Sequence, residues 1–129
     1  MQFVPTDDYI YPWPVKVVLP SLTEAGKTVT ETFTAMFKLL PTDQAESLNE
    51  QRRKAIGEDE TAANFVQGQK AFIHAVMVGW DENTVLDAKK KPISFSTAAL
   101  DQFLNIAPIR AAIIRDYGAS LAERPTEGN

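Results

Sequence analysis

Residues 28–39 read TVTETFTAMFKL and alternate between the two sides of an extended chain. Of the six positions on one side, five are apolar: Val29, Phe33, Ala35, Phe37 and Leu39. Glu31 is the sixth position on that side, and the other side carries Thr30, Thr32, Thr34 and Lys38. A period of two in a segment rich in β-branched and aromatic residues predicts a half-buried β-strand.

A second alternating segment lies just upstream. Trp13, Val15, Val17 and Leu19 alternate there with Pro14, Lys16 and Val18. The linking residues 20–27, PSLTEAGK, are mostly polar and include a glycine. The pattern predicts a β-hairpin over residues 13–40. Because two strands alone are marginal in water, we expect the hairpin to pack its apolar face against helices.

Helical periodicity follows the hairpin. Thr42 and Asp43 offer N-cap oxygens, and Glu46 completes a capping-box spacing with Asp43, so a helix is predicted over about 43–56. Its apolar content is thin, which indicates a solvated outer helix. Residues 61–80 form the strongest predicted helix, with seven apolar residues within an arc of about 140°. These are Phe65, Val66, Phe72, Ile73, Val76, Met77 and Trp80, and His74 on the opposite face is expected to be exposed.

The last third of the chain predicts two more helices. Residues 81–95 indicate a loop with at most a minor hairpin between residues 85–86 and 93–95. Ser96 can cap a short helix, and Pro108 suits the first turn of a final helix over about 107–123. We therefore predict one α+β domain, a hairpin packed against about four helices. Residues 1–12 are expected to form an extended arm, and residues 124–129 a disordered tail.

Composition removes several classes of protein. The chain has 129 residues, a net charge of −4 and no cysteine, which excludes disulfides, thiolate nucleophiles and cysteine-ligated metals. An acidic chain lacks the basic footprint of a general nucleic-acid binder, and the tract of Lys89, Lys90 and Lys91 has no interleaved aromatic or arginine residue. No apolar run approaches the roughly 20 residues of a membrane-spanning helix. We expect a cytoplasmic protein that binds neither nucleic acid nor membrane.

Catalytic patterns are nearly absent as well. His74 is the only imidazole, no serine lies in a G-x-S-x-G context, and no phosphate-binding or metal-binding motif occurs. Asp81 and Glu82, beside Trp80, remain as a possible acid and base pair for a small hydrolase. Adjacent carboxylates on a polar loop are usually only solvated. The sequence therefore favours a protein that is not an enzyme and needs no cofactor.

Apolar side chains outside the core would instead indicate a protein partner. The best candidates are the aromatic arm with Tyr9, Tyr11 and Trp13, together with Trp80 and Ile114. An arm that lies over the core and tucks in its rings is the favoured interpretation, and a partner-binding arm is the alternative. Arg110 projects into the apolar arc of the last helix, where it fits an internal ion pair with a carboxylate or an interface anchor, and the internal pair is favoured.

Three segments together suggest a family. They are FTAMFKLLPTDQAE at 33–46, AFIHAVMVGWDENT at 71–84 and PISFSTAALDQFLNIAPIRAAIIRDYGASLAE at 92–123. In this order they resemble the tail assembly chaperones of long-tailed, lambda-like bacteriophages. The matching positions are Val78, Gly79, Trp80 and Asp81, then Phe95, Ser96, Leu100 and Asp101, and finally Pro108 and Tyr117. The chain departs from the pattern at Lys91, where the family has a glycine-bearing turn, and in its longer aromatic arm.

The resemblance implies a non-enzymatic function. Such a chaperone holds the phage tape-measure protein soluble until tail-tube subunits polymerise around it, and is then absent from the finished particle. Members of the family often also exist as a longer frameshifted product that recruits the tail-tube protein. The resemblance further implies a homo-oligomer in the cytoplasm of the infected host or lysogen. A permanent tail or neck component, and the hydrolase using Asp81 and Glu82, remain the alternatives.

Overall fold

The computed structural model of the chain describes residues 9–58 and 62–122, which form an α+β domain. An antiparallel hairpin and a third strand pack against four helices, as the sequence predicts for the hairpin and the helices. The strands are β1 (Ile10–Pro20), β2 (Thr28–Lys38) and β3 (Met77–Trp80). The helices are α1 (Thr42–Glu58), α2 (Ala62–Val76), α3 (Thr97–Phe103) and α4 (Ala107–Ser120). Within the described residues, no helix is long and apolar enough to cross a membrane.

The sheet has the strand order β1-β2-β3, so β2 is its central strand and β1 lies at an edge. Val15 lies opposite Phe33 and Trp13 opposite Ala35, so the odd-numbered residues of both strands share the face that the helices cover. Gly26, with a φ of 76°, takes the left-handed conformation that the turn between the strands requires. The buried core joins this face to α2, α3 and α4 through Val15, Val17, Phe33, Ala35, Phe37, Ile73, Val76, Met77, Leu100, Leu104, Ala112, Ile113 and Tyr117.

β1 begins at Ile10, three residues before the predicted hairpin, so part of the predicted arm is strand. Residues 1–8 of that arm lie outside the described residues, as do residues 124–129 of the predicted tail. Proline is tolerated here because β1 is an edge strand. Pro12, Pro14 and Pro20 all fall on positions whose nitrogen is directed away from β2, and no ladder bond is lost.

Helix α4 occupies the same outer edge of β1. The backbone N–H of Lys16 donates to Asp116 Oδ2 at 2.8 Å, and the Arg115 guanidinium donates to the backbone oxygen of Lys16. Arg115 also bonds the carboxylate of Asp116, with Nη2 3.0 Å from Oδ2. The two side chains therefore act as a clamp on the edge of β1, and we call this pair the Arg115–Asp116 clamp. Between the prolines and this clamp, the edge is poorly suited to accept another strand.

The predicted helix over 61–80 is wrong at its end. α2 stops at Val76, and Met77–Trp80 continue as β3, antiparallel to β2. A β-bulge between Met36 and Phe37 lets Met77 and Trp80 both face the core, although they are three positions apart. This spacing is also that of one helix face, so periodicity alone could not separate the two structures. Strand pairing with β2 decides in favour of the strand because it satisfies backbone groups of this segment.

The remaining helix boundaries follow their caps. Ser96 Oγ accepts the N–H of Ala99 at 3.0 Å and begins α3, as predicted, and Pro108 lies in the first turn of α4. α1 begins at Thr42, where the carboxylate of Asp43 accepts the N–H of Gln44 rather than forming the predicted capping box. α4 ends at Ser120, earlier than predicted, and Leu121 beyond it is half exposed. With little apolar surface left to bury, a further turn would gain little stability.

The segment between β3 and α3 contains the minor hairpin that the sequence allows. Leu86 and Pro92 form an isolated bridge, and the N–H of Ile93 donates to Val85 O at 2.8 Å. The lysine tract forms the turn, with the Asp87 carboxylate accepting the N–H groups of Lys89 and Lys91. These contacts give the tract a local structural role.

The environment of His74 differs from the prediction. Its side chain is 27% exposed, and Nε2 lies 3.2 Å from Asp101 Oδ1 of α3. The ring is partly covered because α3 packs across α2 at this point.

The clamp yields a stability prediction. Replacing Asp116 with Ala removes the acceptor of the Lys16 N–H and should lower the free energy of unfolding by about 1 kcal/mol. Urea unfolding followed by circular dichroism measures the loss. Glu82→Ala is the control, since Glu82 is exposed. Equal stability of the Asp116 and Glu82 variants would contradict the role given to the clamp.

Candidate functional site

An aromatic groove lies where the start of β1 meets the end of α4. Its cavity of about 330 Å³ is lined by Tyr9, Tyr11, Pro12, Trp13, Leu39, Ser120 and Leu121. Tyr9, Tyr11 and Trp13 are two residues apart along an extended chain, so their rings share one face. The N–H of Leu39 donates to Tyr9 O at 3.0 Å, which extends the ladder and holds Tyr9 beside the strand. We call this feature the aromatic groove.

A hydrogen-bonded chain fixes the floor of the groove. The Ser120 hydroxyl donates to the backbone oxygen of Tyr117 at 2.6 Å, and its oxygen lies 2.8 Å from the Tyr11 hydroxyl. Because the proton of Ser120 is already directed to Tyr117, the Tyr11 hydroxyl is the donor in the second bond. The Tyr11 ring also lies against Phe37, with centroids 6.1 Å apart. Tyr11 therefore belongs to both the groove and the core.

Tyr11 and Tyr117 are also perturbed electrostatically. Burial raises the pKa of the Tyr11 hydroxyl, and the bond to Ser120 acts in the opposite direction. Burial is also the main cause that raises the pKa of Tyr117, whose ring packs edge-on against Phe37 at 5.2 Å. Both side chains are neutral donors at physiological pH.

The rim of the groove is apolar and accessible. Tyr9 and Leu121 are each 49% exposed, on opposite walls. None of the lining side chains is charged. A site of this composition can take up apolar side chains and offer a hydroxyl to a polar group, but it contains no general acid or base for neutral pH.

Trp80 lies in the core, away from the aromatic groove. Only 5% of its surface is exposed, and its ring stacks on Phe103 with centroids 5.0 Å apart. Its indole N–H donates to Ile93 O at 2.7 Å. Ile114 is partly buried and also packs against the core. These positions favour a packing role for Trp80 and Ile114 over the contact with a partner that the sequence suggested.

Arg110 forms internal hydrogen bonds to an amide oxygen and a backbone carbonyl, whereas the sequence favoured an ion pair with a carboxylate. Its Nε donates to Gln69 Oε1 at 3.0 Å, and its Nη1 donates to Leu104 O at 2.6 Å. The favoured ion pair with a carboxylate is therefore wrong. The guanidinium instead satisfies the carbonyl that follows α3 and ties it to α2, which accounts for a cation within an apolar arc.

Neither candidate carboxylate lines the aromatic groove or the cavity beside Phe33 and Val85. Asp81 Oδ1 accepts the N–H of Asn83 at 3.0 Å and caps the 3₁₀ turn Glu82–Thr84. Asp81 and Glu82 are both exposed. In the described part of the chain, no three His, Cys, Asp or Glu side chains are grouped so that they could hold a metal ion.

Sequence reasoning found one wall of the aromatic groove and missed the other. The β1 wall was visible as aromatic residues near prolines. The other wall comes from Leu39, Ser120 and Leu121. The sequence marks Leu39 as apolar on its strand and Leu121 as apolar at helical spacing with Ile113 and Tyr117, but it does not show that they meet. Ser120 had no sequence signal, because its role depends on a contact 109 residues away.

Comparison of the chain with family models, with curated proteins and with solved structures found no match.

The two tryptophans should respond differently to truncation. Trp80→Ala removes a buried ring and should reduce the free energy of unfolding by about 3–5 kcal/mol. Trp13→Ala, at the partly exposed groove, should cost considerably less. Guanidinium unfolding monitored by circular dichroism compares them. Similar losses for both would show that the groove wall is as essential to the core as Trp80.

The tyrosine environments predict a loss of stability at high pH. A raised pKa keeps Tyr11 and Tyr117 protonated in the folded state at a pH where the unfolded chain has begun to ionise, so unfolding releases protons. Stability should therefore fall as the pH rises above about 10. Tyr11→Phe should flatten this fall in urea titrations between neutral and alkaline pH. An unchanged slope in the variant would contradict the assignment.

Proposed function

We propose that the protein is a tail assembly chaperone of a long-tailed bacteriophage. It binds the tape-measure protein in the host cytoplasm, keeps it soluble while tail-tube subunits polymerise, and leaves before the particle is complete. In this proposal it performs no chemistry, and a longer frameshifted product recruits the tail-tube protein. The order of the three sequence segments and the aromatic groove support this function.

The aromatic groove carries most of the argument. A tape-measure protein of the kind proposed is a long helical chain with apolar stripes that are uncovered before the tube forms. Such a helix presents apolar side chains three and four positions apart. A groove of about 330 Å³ is near the lower end of ligand pockets, so it suits one or two such side chains at a time.

Weak binding of this kind suits a chaperone that must later leave. One shallow groove gives low affinity, and several chaperones along one tape measure give the assembly enough occupancy to cover it. The uncharged lining adds no electrostatic specificity, so repeated stripes of similar apolar character can all be bound.

Co-expression with the tape-measure protein of the same tail gene cluster tests the proposal. The native chain should raise the soluble fraction of that protein. The double variant Tyr9→Ser, Leu121→Ser should lose most of this effect, because both half-exposed walls of the groove are removed. Leu22→Ser is the matched control, since Leu22 is fully exposed in the turn of the hairpin, at the opposite end of β1 from the groove.

Two outcomes would contradict the proposal. An unchanged solubility of the tape-measure protein with the native chain would remove the chaperone function. Detection of the chain in purified virions would favour a permanent tail or neck component instead. Circular dichroism of each variant confirms that the fold is kept.

A further inference from the structure

The two long edges of the hairpin differ in how much of each is covered by other parts of the chain. Prolines and the Arg115–Asp116 clamp occupy the edge of β1. On the other side, β3 pairs with β2 only at residues 35–37, and the N–H of Thr34 donates to Thr84 Oγ1 at 3.0 Å. Residues 28–32 are all exposed. Glu31 and Thr32 line a cavity with Thr84 and the residues that follow it, and residues 28–30 lie beyond both covers. Across residues 9–58 and 62–122, no strand pairs with this part of β2 except β1.

The open edge presents backbone groups in a regular row. The N–H of Thr34 points away from β1, and backbone direction alternates along a strand, so Thr28 and Thr30 direct their N–H and C=O groups the same way. An exposed row of this kind is a template for another strand. Native proteins usually block such edges, as this chain does along β1.

The side chains beside this edge are complementary to themselves. The N–H of Ser21 donates to Lys27 O at 2.8 Å, which continues the ladder by one pair and places Lys27 on the same face as Val29 and Glu31. Along this face, β2 and the residue before it therefore carry a cation, Lys27, then an apolar residue, Val29, and then an anion, Glu31. Laid antiparallel against its own copy about Val29, this segment sets each Lys27 opposite a Glu31 and Val29 opposite Val29.

We infer that a second copy of this chain is the occupant of the open edge, with its β2 antiparallel to the first and a two-fold axis at Val29. Each Thr28 then lies opposite a Thr30 of the other copy and exchanges a pair of backbone hydrogen bonds with it. The threonine side chains pair on the opposite face, a favourable cross-strand combination. Val29, 42% exposed in the single chain, becomes covered.

The register follows from charge and from the neighbouring loop. An axis at Glu31 would set two carboxylates against each other and would bring the added strand against Thr84. An axis at Thr30 would place Val29 opposite Glu31 and leave the charges without opposite partners. Of these three axes, only the one at Val29 sets opposite charges against each other and Val29 against Val29.

The dimer is a weak one. The contact spans about five residues of each strand. A standard stable interface buries about 1,200–2,000 Å² and has roughly 20–30 residues on each side. Association is therefore expected to depend on concentration and on salt, because two exposed ion pairs contribute to it. The inference concerns the chain alone and does not rest on the proposed chaperone function.

A pair of proline variants tests the use of the backbone. Thr30→Pro removes an N–H that makes no bond within the sheet and should weaken dimerisation, measured by sedimentation equilibrium, by about tenfold or more. Val18→Pro is the matched control, because Val18 lies directly opposite Thr30 on β1 and its N–H faces the other edge. It should leave the dimer constant unchanged.

Charge reversal tests the register. Lys27→Glu and Glu31→Lys should each weaken the homodimer by about tenfold at low salt, since each sets like charges opposite each other. An equimolar mixture of the two variants should form a heterodimer, because every facing pair is then opposite in charge. Native mass spectrometry distinguishes the heterodimer by its mass.

The inference is overturned if the native chain stays monomeric at concentrations up to about 1 mM. It is also overturned if Thr30→Pro dimerises as well as the native chain, or if the mixed charge variants form no heterodimer. Circular dichroism spectra that match the native chain show that a variant has kept its fold.

Discussion

The bonds between α4 and the outer edge of β1 help to determine where α4 lies, and the closed sheet edge and one wall of the aromatic groove depend on that position. A sheet with helices on one face must hold those helices in register, and here the Arg115–Asp116 clamp does so by bonding the backbone of Lys16 in both directions. Together with the buried side chains of α4, the clamp aligns this helix along β1, where Tyr117 packs against Phe37 and Ser120 reaches Tyr11. One contact between distant segments thus closes one sheet edge and builds one wall of the aromatic groove.

The two surfaces assigned a role in binding lie at opposite ends of the hairpin. The aromatic groove lies where β1 begins, and the open edge of β2 lies near the turn that joins β1 to β2. Self-association at one end would leave the groove of each copy accessible. Two grooves on one dimer could then engage two stripes of one long partner, which raises the effective concentration of the second contact.

The sequence predicted the parts of the fold that depend on local patterns. Alternation in residues 28–39 predicted β2, and Ser96 and Pro108 predicted the starts of α3 and α4. It could not predict that residues 77–80 leave the helix, because the spacing of Met77 and Trp80 suits a helix face and a bulged strand equally. Nor could it predict the clamp or the bonds of Arg110, which depend on the approach of residues far apart in the chain.

Hydrogen exchange of single backbone amides, followed by NMR at two protein concentrations, tests most directly whether α4 closes one sheet edge and leaves the other open. In dilute solution the Lys16 amide should exchange slowly because Asp116 accepts its proton, whereas the Thr30 amide should exchange quickly. At high concentration Thr30 should slow down and Lys16 should not change. Equal and rapid exchange of Lys16 and Thr30 in dilute solution would contradict the account.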